Sequence, residues 1–338
     1  MIGKGWLSLA AAALLLFASP SPGSAQRVIK AGLTLPQKTA GFDHVNGMYE
    51  TFKAEVEAAT KGAVKVELIY GGALGNPNDR LSQMRRGIIQ MSDASEGNYA
   101  TIYPDIQVLS LPYLFPSEQV AWKVLDGPFG ASMAEDIRAK SGIRVLGWWE
   151  AGGFRHFSAN KAIRSPKDFA GLKMRALGPV FAKPVEAMGG SASPIAFNEL
   201  YTSLKTGVVD GQDNATNVFR LVKLYEVQKY LILTGHIYSF GPLGMNDEFY
   251  RGLSTDEQKA VSAAAAKAIA YNRQTSRKGE GEALEFVKSQ GVTVIALTPE
   301  ALAEFARVTQ GPVREWLRGQ VSSPKVIDDA LAAVEKAR

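Results

Sequence analysis

The chain has 338 residues, with 38 Lys+Arg against 33 Asp+Glu, 46% apolar residues, three histidines and no cysteine. At roughly 100–200 residues per domain this length predicts two domains, and the apolar fraction excludes wholesale disorder. Zero cysteine excludes disulfides, thiolate nucleophiles and zinc–thiolate sites, and three histidines leave no His-rich metal centre to expect.

The first 25 residues read as a secretory signal. Lys4 supplies a positive start, and Trp6 to Ala18 is an apolar run of 13 residues. A break at Ser19–Pro22 follows, then small residues at Gly23 and Ala25, which place cleavage after Ala25. The run is too short to span a bilayer, and no cysteine follows it to carry a lipid. The mature chain is therefore expected to be exported and soluble.

Strand and helix patterns then alternate. Arg27–Leu35 reads as a strand, and His44–Thr60 places Met48, Phe52, Val56 and Ala59 on one helical face, with Gly62 ending it. Ala63–Tyr70 alternates as a half-buried strand does. A turn at Gly71–Gly75 leads into a helix through Leu81, Met84 and Ile88. Arg80, Arg85 and Arg86 form the densest basic cluster; it is too small for a nucleic-acid stripe and reads as a solvated helix face. This βαβα rhythm predicts an α/β domain with a largely parallel sheet.

A second α/β unit begins near Gly152. Pro166–Asp168 starts a short turn or helix, Leu172–Leu177 has strand character, and Pro179–Met188 reads as a helix with proline in its first turn. Ser191–Phe197 is extended, and Asn198 is expected to cap a helix over Glu199–Lys205 with Gly207 just past its end. Ser254-Thr255-Asp256-Glu257 fits a capping box. The helical pattern behind it runs to about Gln290, far beyond the average helix of ~11 residues, so a strut shared by two units is expected. Val292–Leu297 is a strand, and Thr298-Pro299 opens a further helix.

The strongest enzyme-like signal is serine acyl transfer: Ser158–Lys161 matches S-x-x-K and Lys205–Gly207 matches K-T-G. K-T-G belongs on a strand beside the nucleophile, yet here it closes a helix, and Ser92-Asp93 precedes the S-x-x-K and is followed by Ala94. No G-x-S-x-G, H-E-x-x-H, P-loop or EF-hand pattern is present. What remains is binding. Gly147–Phe157 and Leu172–Leu177 place Arg155 and Arg175 beside aromatics and glycine. Arginine's planar fork matches a carboxylate bidentately and stays charged in proteins. A structural pair with an internal Asp or Glu is the alternative for either arginine.

These residues resemble the solute-binding proteins of the tripartite ATP-independent periplasmic (TRAP) transporters, of the dicarboxylate-binding DctP type. The resemblance rests on G-G-F-R-H-F at Gly152–Phe157, S-P-K-D-F-A-G-L-K-M-R at Ser165–Arg175, E-L-Y-T-S-L-K-T-G-V-V-D-G-Q-D-N at Glu199–Asn214 and Y-E-V-Q-K-Y at Tyr225–Tyr230. Gly71–Gly75 and Leu111–Phe115 also fit. It implies a two-domain α/β periplasmic binding-protein fold with a ligand cleft between the domains and a long helix spanning both. By similarity, residues 26–152 plus 241–279 form one domain and 153–240 plus 280–338 the other. The implied ligand is an organic acid anion, caught without catalysis, cofactor or metal by a monomeric protein and delivered to small and large membrane subunits; supply of a sensor receptor is the alternative. Arg175 matches the arginine that holds the ligand carboxylate, Arg155 a second arginine that contacts or supports it, Asn214 an asparagine closing over it, and Phe197 an aromatic packed on the ligand body. Ser95, Glu96, Trp149 and His44 fall where the first domain lines the cleft. Ala215 replaces a proline common in the family, and Gln37–Asn46 departs from the pattern that receives a second carboxylate.

Overall fold

The computed structural model describes residues 26–38 and 43–338, so the expected signal segment lies outside the described residues. The first half of the chain runs β1 (Arg27–Gly32), α1 (Asn46–Ala59), β2 (Val64–Ile69), α2 (Pro77–Arg85), β3 (Met91–Ser92), α3 (Glu96–Tyr99), α4 (Glu118–Leu125) and α5 (Pro128–Ser141). A 17-residue strand, β4 (Ile143–Ala159), leads into β5 (Lys173–Ala176), α6 (Pro179–Ala187), β6 (Ser191–Pro194), α7 (Leu200–Lys205), β7 (Gly211–Asn214) and α8 (Thr216–Leu221). A second 17-residue strand, β8 (Tyr230–Asn246), returns. Then come α9 (Asp247–Gly252), α10 (Thr255–Ser289), β9 (Thr293–Ala296), α11 (Pro299–Arg318) and α12 (Lys325–Ala337).

The strands form one continuous sheet in the order β2-β1-β3-β8-β4-β7-β5-β6, with β9 alongside β8. Both flanks are parallel (β1 with β2 and β3; β5 with β6 and β7), as the βαβα rhythm requires. The centre is not: β4 pairs antiparallel with both β7 and β8. The two long strands therefore stitch two parallel α/β units together. Their ladder shifts register between Glu150 and Gly153, where Gly152 and Gly153 take φ of 110° and 88°. A side chain is excluded there as well: a Cβ on Gly152 would lie 2.8 Å from Asn217 Oδ1 and 2.9 Å from Ala215 Cβ.

The long helix is present as one element of 35 residues, about 50 Å from end to end. Its start is closed by the expected reciprocal cap, Ser254 Oγ accepting from Glu257 N and Glu257 Oε2 accepting from Ser254 N. Val261, Ala265 and Ala268 pack into the core formed by β1, β2 and α1, while Val287 packs with Leu204, Phe219 and Leu231 of the second unit. The expected strut thus contributes side chains to the cores of both units. At the C-terminus, Ile327, Ala330 and Val334 of α12 share a core with Val124, Leu125 and Ile137 of the first unit.

Several local expectations are corrected. β1 stops at Gly32 rather than Leu35. Ala59 is exposed, so the buried face of α1 is Met48, Phe52 and Val56. Ile88 is exposed beyond the end of α2. Asn198 does not cap α7; a 3-10 turn over Phe197–Glu199 intervenes, and the cap position falls on Glu199 without a side-chain bond. Arg80 is not on a solvated face but fully buried, unlike Arg85 and Arg86. Ser158, the acyl-transfer decoy, is buried in β4 between Gln228 Oε1 (3.0 Å) and Gln212 Nε2 (2.8 Å), while Lys161 bonds the Asp168 carbonyl instead.

Candidate functional site

Arg175 is the third residue of β5, placed between β6 and β7. Its Nε donates to the Ile195 carbonyl at 2.9 Å, which pins the stem. The residue is 1% exposed, yet both terminal nitrogens, Nη1 and Nη2, lack a hydrogen-bond partner among the described residues. Buried polar groups are almost always paired, because an unmade bond costs about 1–3 kcal/mol and more for a charged group. Burial, reinforced by the nearby Arg155 charge and opposed by Asp213, pushes its pKa down to about 10. That still leaves it protonated at neutral pH. A desolvated, charged fork with both prongs unpartnered among the described residues has the chemistry to accept an anion.

It lines a cavity of about 90 Å³, room for several waters or part of a small organic molecule. The second unit contributes Leu177, Phe197, Asn214, Val218 and Leu221; the first contributes Thr34, His44, Asp93, Ser95 and Asn98; Trp149, Arg155 and Ser239 come from the long strands. Phe197 sits on the 3-10 turn that displaced the expected cap. Asn214 ends β7 opposite His156 and donates to Gln212 Oε1 at 2.5 Å. Ala215 takes the cap position of α8 in an extended conformation (φ −69°, ψ 156°), which a proline also adopts, so its replacement leaves the turn intact. Trp149 lies flat over Gly241, where a Cβ would come within 2.5 Å of the indole, and donates to the Pro242 carbonyl. Ser95 caps α3 together with Asn98. The His44 carbonyl accepts from Asn272 on α10, whose Oδ1 also accepts from Glu150 N.

Arg155 is a different kind of arginine. Its Nε and Nη2 donate to Asp213 Oδ2 and O, both at 2.5 Å, and Nη1 reaches Ser239 Oγ at 3.3 Å. Its Cζ stands 4.9 Å over the Phe181 ring. Burial raises the Asp213 pKa, but Arg155 and His236 outweigh it and hold that carboxyl well below the usual range. Arg155 thus lines the cavity with its charge already cancelled, supporting the site rather than offering an empty fork. Glu96 is not among the lining residues. It stands behind Ser239, accepting from its Oγ at 2.7 Å, and burial, partly offset by Arg155, pushes its pKa to about 7.

Sequence reasoning missed Thr34, Asp93, Asn98 and Ser239. Asp93 was visible only as part of a serine–aspartate pair, and nothing local marks Ser239, which enters the site because β8 lies against β4.

The chain matches the DctP family model, bacterial extracellular solute-binding protein family 7, over residues 39–319. It is 35% identical to a solute-binding protein of Verminephrobacter eiseniae over 76% of this chain and 77% of that one. Among solved structures, the sugar acid binding protein DctPAm of Advenella mimigardefordensis, in complex with galactonate, aligns with a TM-score of 0.86 at 30% identity, covering 92% of this chain and 99% of that one. A TRAP periplasmic solute-binding protein of Sulfitobacter sp. NAS-14.1 with bound β-D-galacturonate gives 0.84 at 29%, covering 92% and 100%. These likenesses share the two-domain α/β fold expected from the sequence. The chain belongs to the DctP family of TRAP-type periplasmic solute-binding proteins, a family of transport proteins and not of enzymes.

Proposed function

We propose that this protein captures an organic acid anion by seating its carboxylate on the open fork of Arg175. The observation that carries the reading is the pair of unpartnered Nη atoms on a 1%-exposed arginine facing the cavity. The galactonate and galacturonate held by two solved relatives are both carboxylates, which supports it. Asn214 and Phe197 bound the ligand from the second lobe; Ser95, His44 and Trp149 complete the wall. Residues 26–152 with 241–279 form one lobe and the rest of the mature chain the other, except that α12 packs with the first. Ligand draws the lobes together by hinge motion at Gly152–Gly153, and the closed, monomeric form hands its cargo to the small and large TRAP membrane subunits. The precursor is cleaved after Ala25.

Closure removes water from the ion pair and strengthens each hydrogen bond. Deleting one partner of such a pair costs about 2–5 kcal/mol, so Arg175→Ala is expected to weaken binding roughly 30-fold or more by calorimetry. Arg175→Lys fails too, since a point charge lacks the fork. Near-normal affinity in a folded Arg175→Ala protein overturns the assignment.

A further inference from the structure

The wall opposite in sequence from Arg175 contains another buried arginine whose charge is already cancelled. Arg80 threads past β1 so closely that a Cβ at Gly32 would lie 2.5 Å from its Cδ. Its Nη2 donates to Asp93 Oδ1 (2.6 Å) and Thr34 Oγ1 (2.5 Å), its Nη1 to the Gly75 carbonyl (2.5 Å) and its Nε to Ser92 Oγ (3.2 Å). Every nitrogen of that guanidinium is occupied, and the residue that reaches the cavity is Asp93, not Arg80. Asp93 Oδ1 already accepts from Arg80 and Thr34, while among the described residues Oδ2 accepts only from the Thr34 amide, at 2.7 Å. A carboxylate oxygen has two lone pairs, so Oδ2 can take one more donor.

The charges around the cavity sum simply. Arg155 is matched by Asp213 and Arg80 by Asp93, leaving Arg175 as the uncompensated cation among the described lining residues. Lys38 is exposed, and residues 39–42, Thr-Ala-Gly-Phe, carry no charge. Glu96, behind Ser239, adds no positive charge in either protonation state. With the Glu96 carboxyl neutral, a ligand with one carboxylate brings the enclosed site to balance; with it ionised, the site holds one negative charge more and a second carboxylate is still less favourable. A second carboxylate would meet no free cation among the described lining residues and would be desolvated beside Asp93, and like charges brought together without water repel strongly.

We propose that Asp93, backed by Arg80, is a charge filter that restricts this protein to ligands with a single carboxylate whose remaining body is neutral and offers a hydroxyl or similar donor to Asp93 Oδ2. The inference deepens the organic-acid reading and rests on it.

The test is calorimetry of the mature protein against matched pairs that differ by one carboxylate: D-galactonate and galactarate, 4-hydroxybutyrate and succinate, 4-(hydroxymethyl)benzoate and terephthalate. In every pair that binds, the single carboxylate is expected to bind at least tenfold tighter. Asp93→Asn keeps the shape but frees the Arg80 charge, so the ratio shifts toward the dicarboxylate by tenfold or more. The double variant Arg80→Met/Asp93→Asn removes both charges and moves the preference back, which separates charge from a packing defect. If Asp93→Asn does not fold, the wild-type ratios decide alone. A dicarboxylate binding wild type within threefold of its partner overturns the filter and leaves the organic-acid reading standing. Silence from the whole panel, or binding indifferent to Arg175→Ala, overturns the organic-acid reading and the filter with it.

Discussion

The empty fork of Arg175 should hold the unliganded protein open, and Arg175→Met isolates that effect. In this structure, burial and the Arg155 charge bring the guanidinium down to about 10. At 1.36 kcal/mol per pKa unit this amounts to about 3 kcal/mol held against the charged form. When the lobes part, water reaches the guanidinium and much of that cost disappears, so closure without ligand is disfavoured by up to roughly a hundredfold from this one residue. Methionine fills similar space with no charge to solvate. The unliganded variant is therefore expected to populate the closed form far more than wild type, and to ignore carboxylates. Small-angle scattering of the unliganded proteins, with spin labels spanning the mouth, measures this directly. Wild type should contract on adding ligand; the variant should already be contracted. Equal dimensions without ligand, or contraction of the variant by a carboxylate, would refute the reasoning.

Three further outcomes follow from the same geometry. Glu96 has its folded pKa raised from 4.5 to about 7 by burial, so the folded state holds the proton more tightly than the unfolded chain. This group's favourable contribution is full below pH 4.5 and is lost as pH rises toward about 7; Glu96→Gln should flatten that decline in denaturant titrations run across the window. Gly97 meets the second unit directly, a Cβ there falling 2.6 Å from Leu177 Cγ, while Gly178 approaches the Gly97 carbonyl. Gly97→Val should prop the mouth apart and weaken ligand binding by about 1–3 kcal/mol with little change in the thermal stability of the unliganded protein. Arg277 on α10 holds the fully buried Glu150 of β4 together with Glu118 and the Gly152 carbonyl. Removing one member of a buried pair leaves the other charge stranded, at about 3–5 kcal/mol, so Arg277→Met should lower the urea midpoint markedly, whereas Arg338→Met, at an exposed surface pair, should not.

The legible parts were those governed by neighbours in sequence. Ser254 and Glu257 satisfy each other across three residues, so the start of α10 could be read from four letters. Gly207 at φ 73° ends α7 directly after its cap, where glycine is the cheapest residue to turn left-handed; past α1 the turn takes two left-handed residues, Lys61 at φ 50° and then the expected Gly62 at φ 80°. Asn198 shows the limit of such reading: this good capping residue lies inside a 3-10 turn, whose Phe197 lines the cavity, and the cap position falls on Glu199.

The roles of the three buried arginines separate the two levels most clearly. Local sequence leaves Arg155 and Arg175 level as candidates for a ligand carboxylate, the family resemblance puts Arg175 first with Arg155 in support, and Arg80 reads as one of a solvated trio. Local order cannot tell them apart, because the partner that cancels each charge comes from elsewhere: Asp213 lies 58 residues from Arg155, and Asp93 lies across a turn and a strand from Arg80. The amino-acid order by itself determined two α/β units, a shared helix and a supply of guanidinium forks. Only the packing of β4 against β7 and β8, and of β1 against β3, decided which fork was left empty, since an ion pair depends on distance in space and the chain brings those carboxylates close only when the sheet closes.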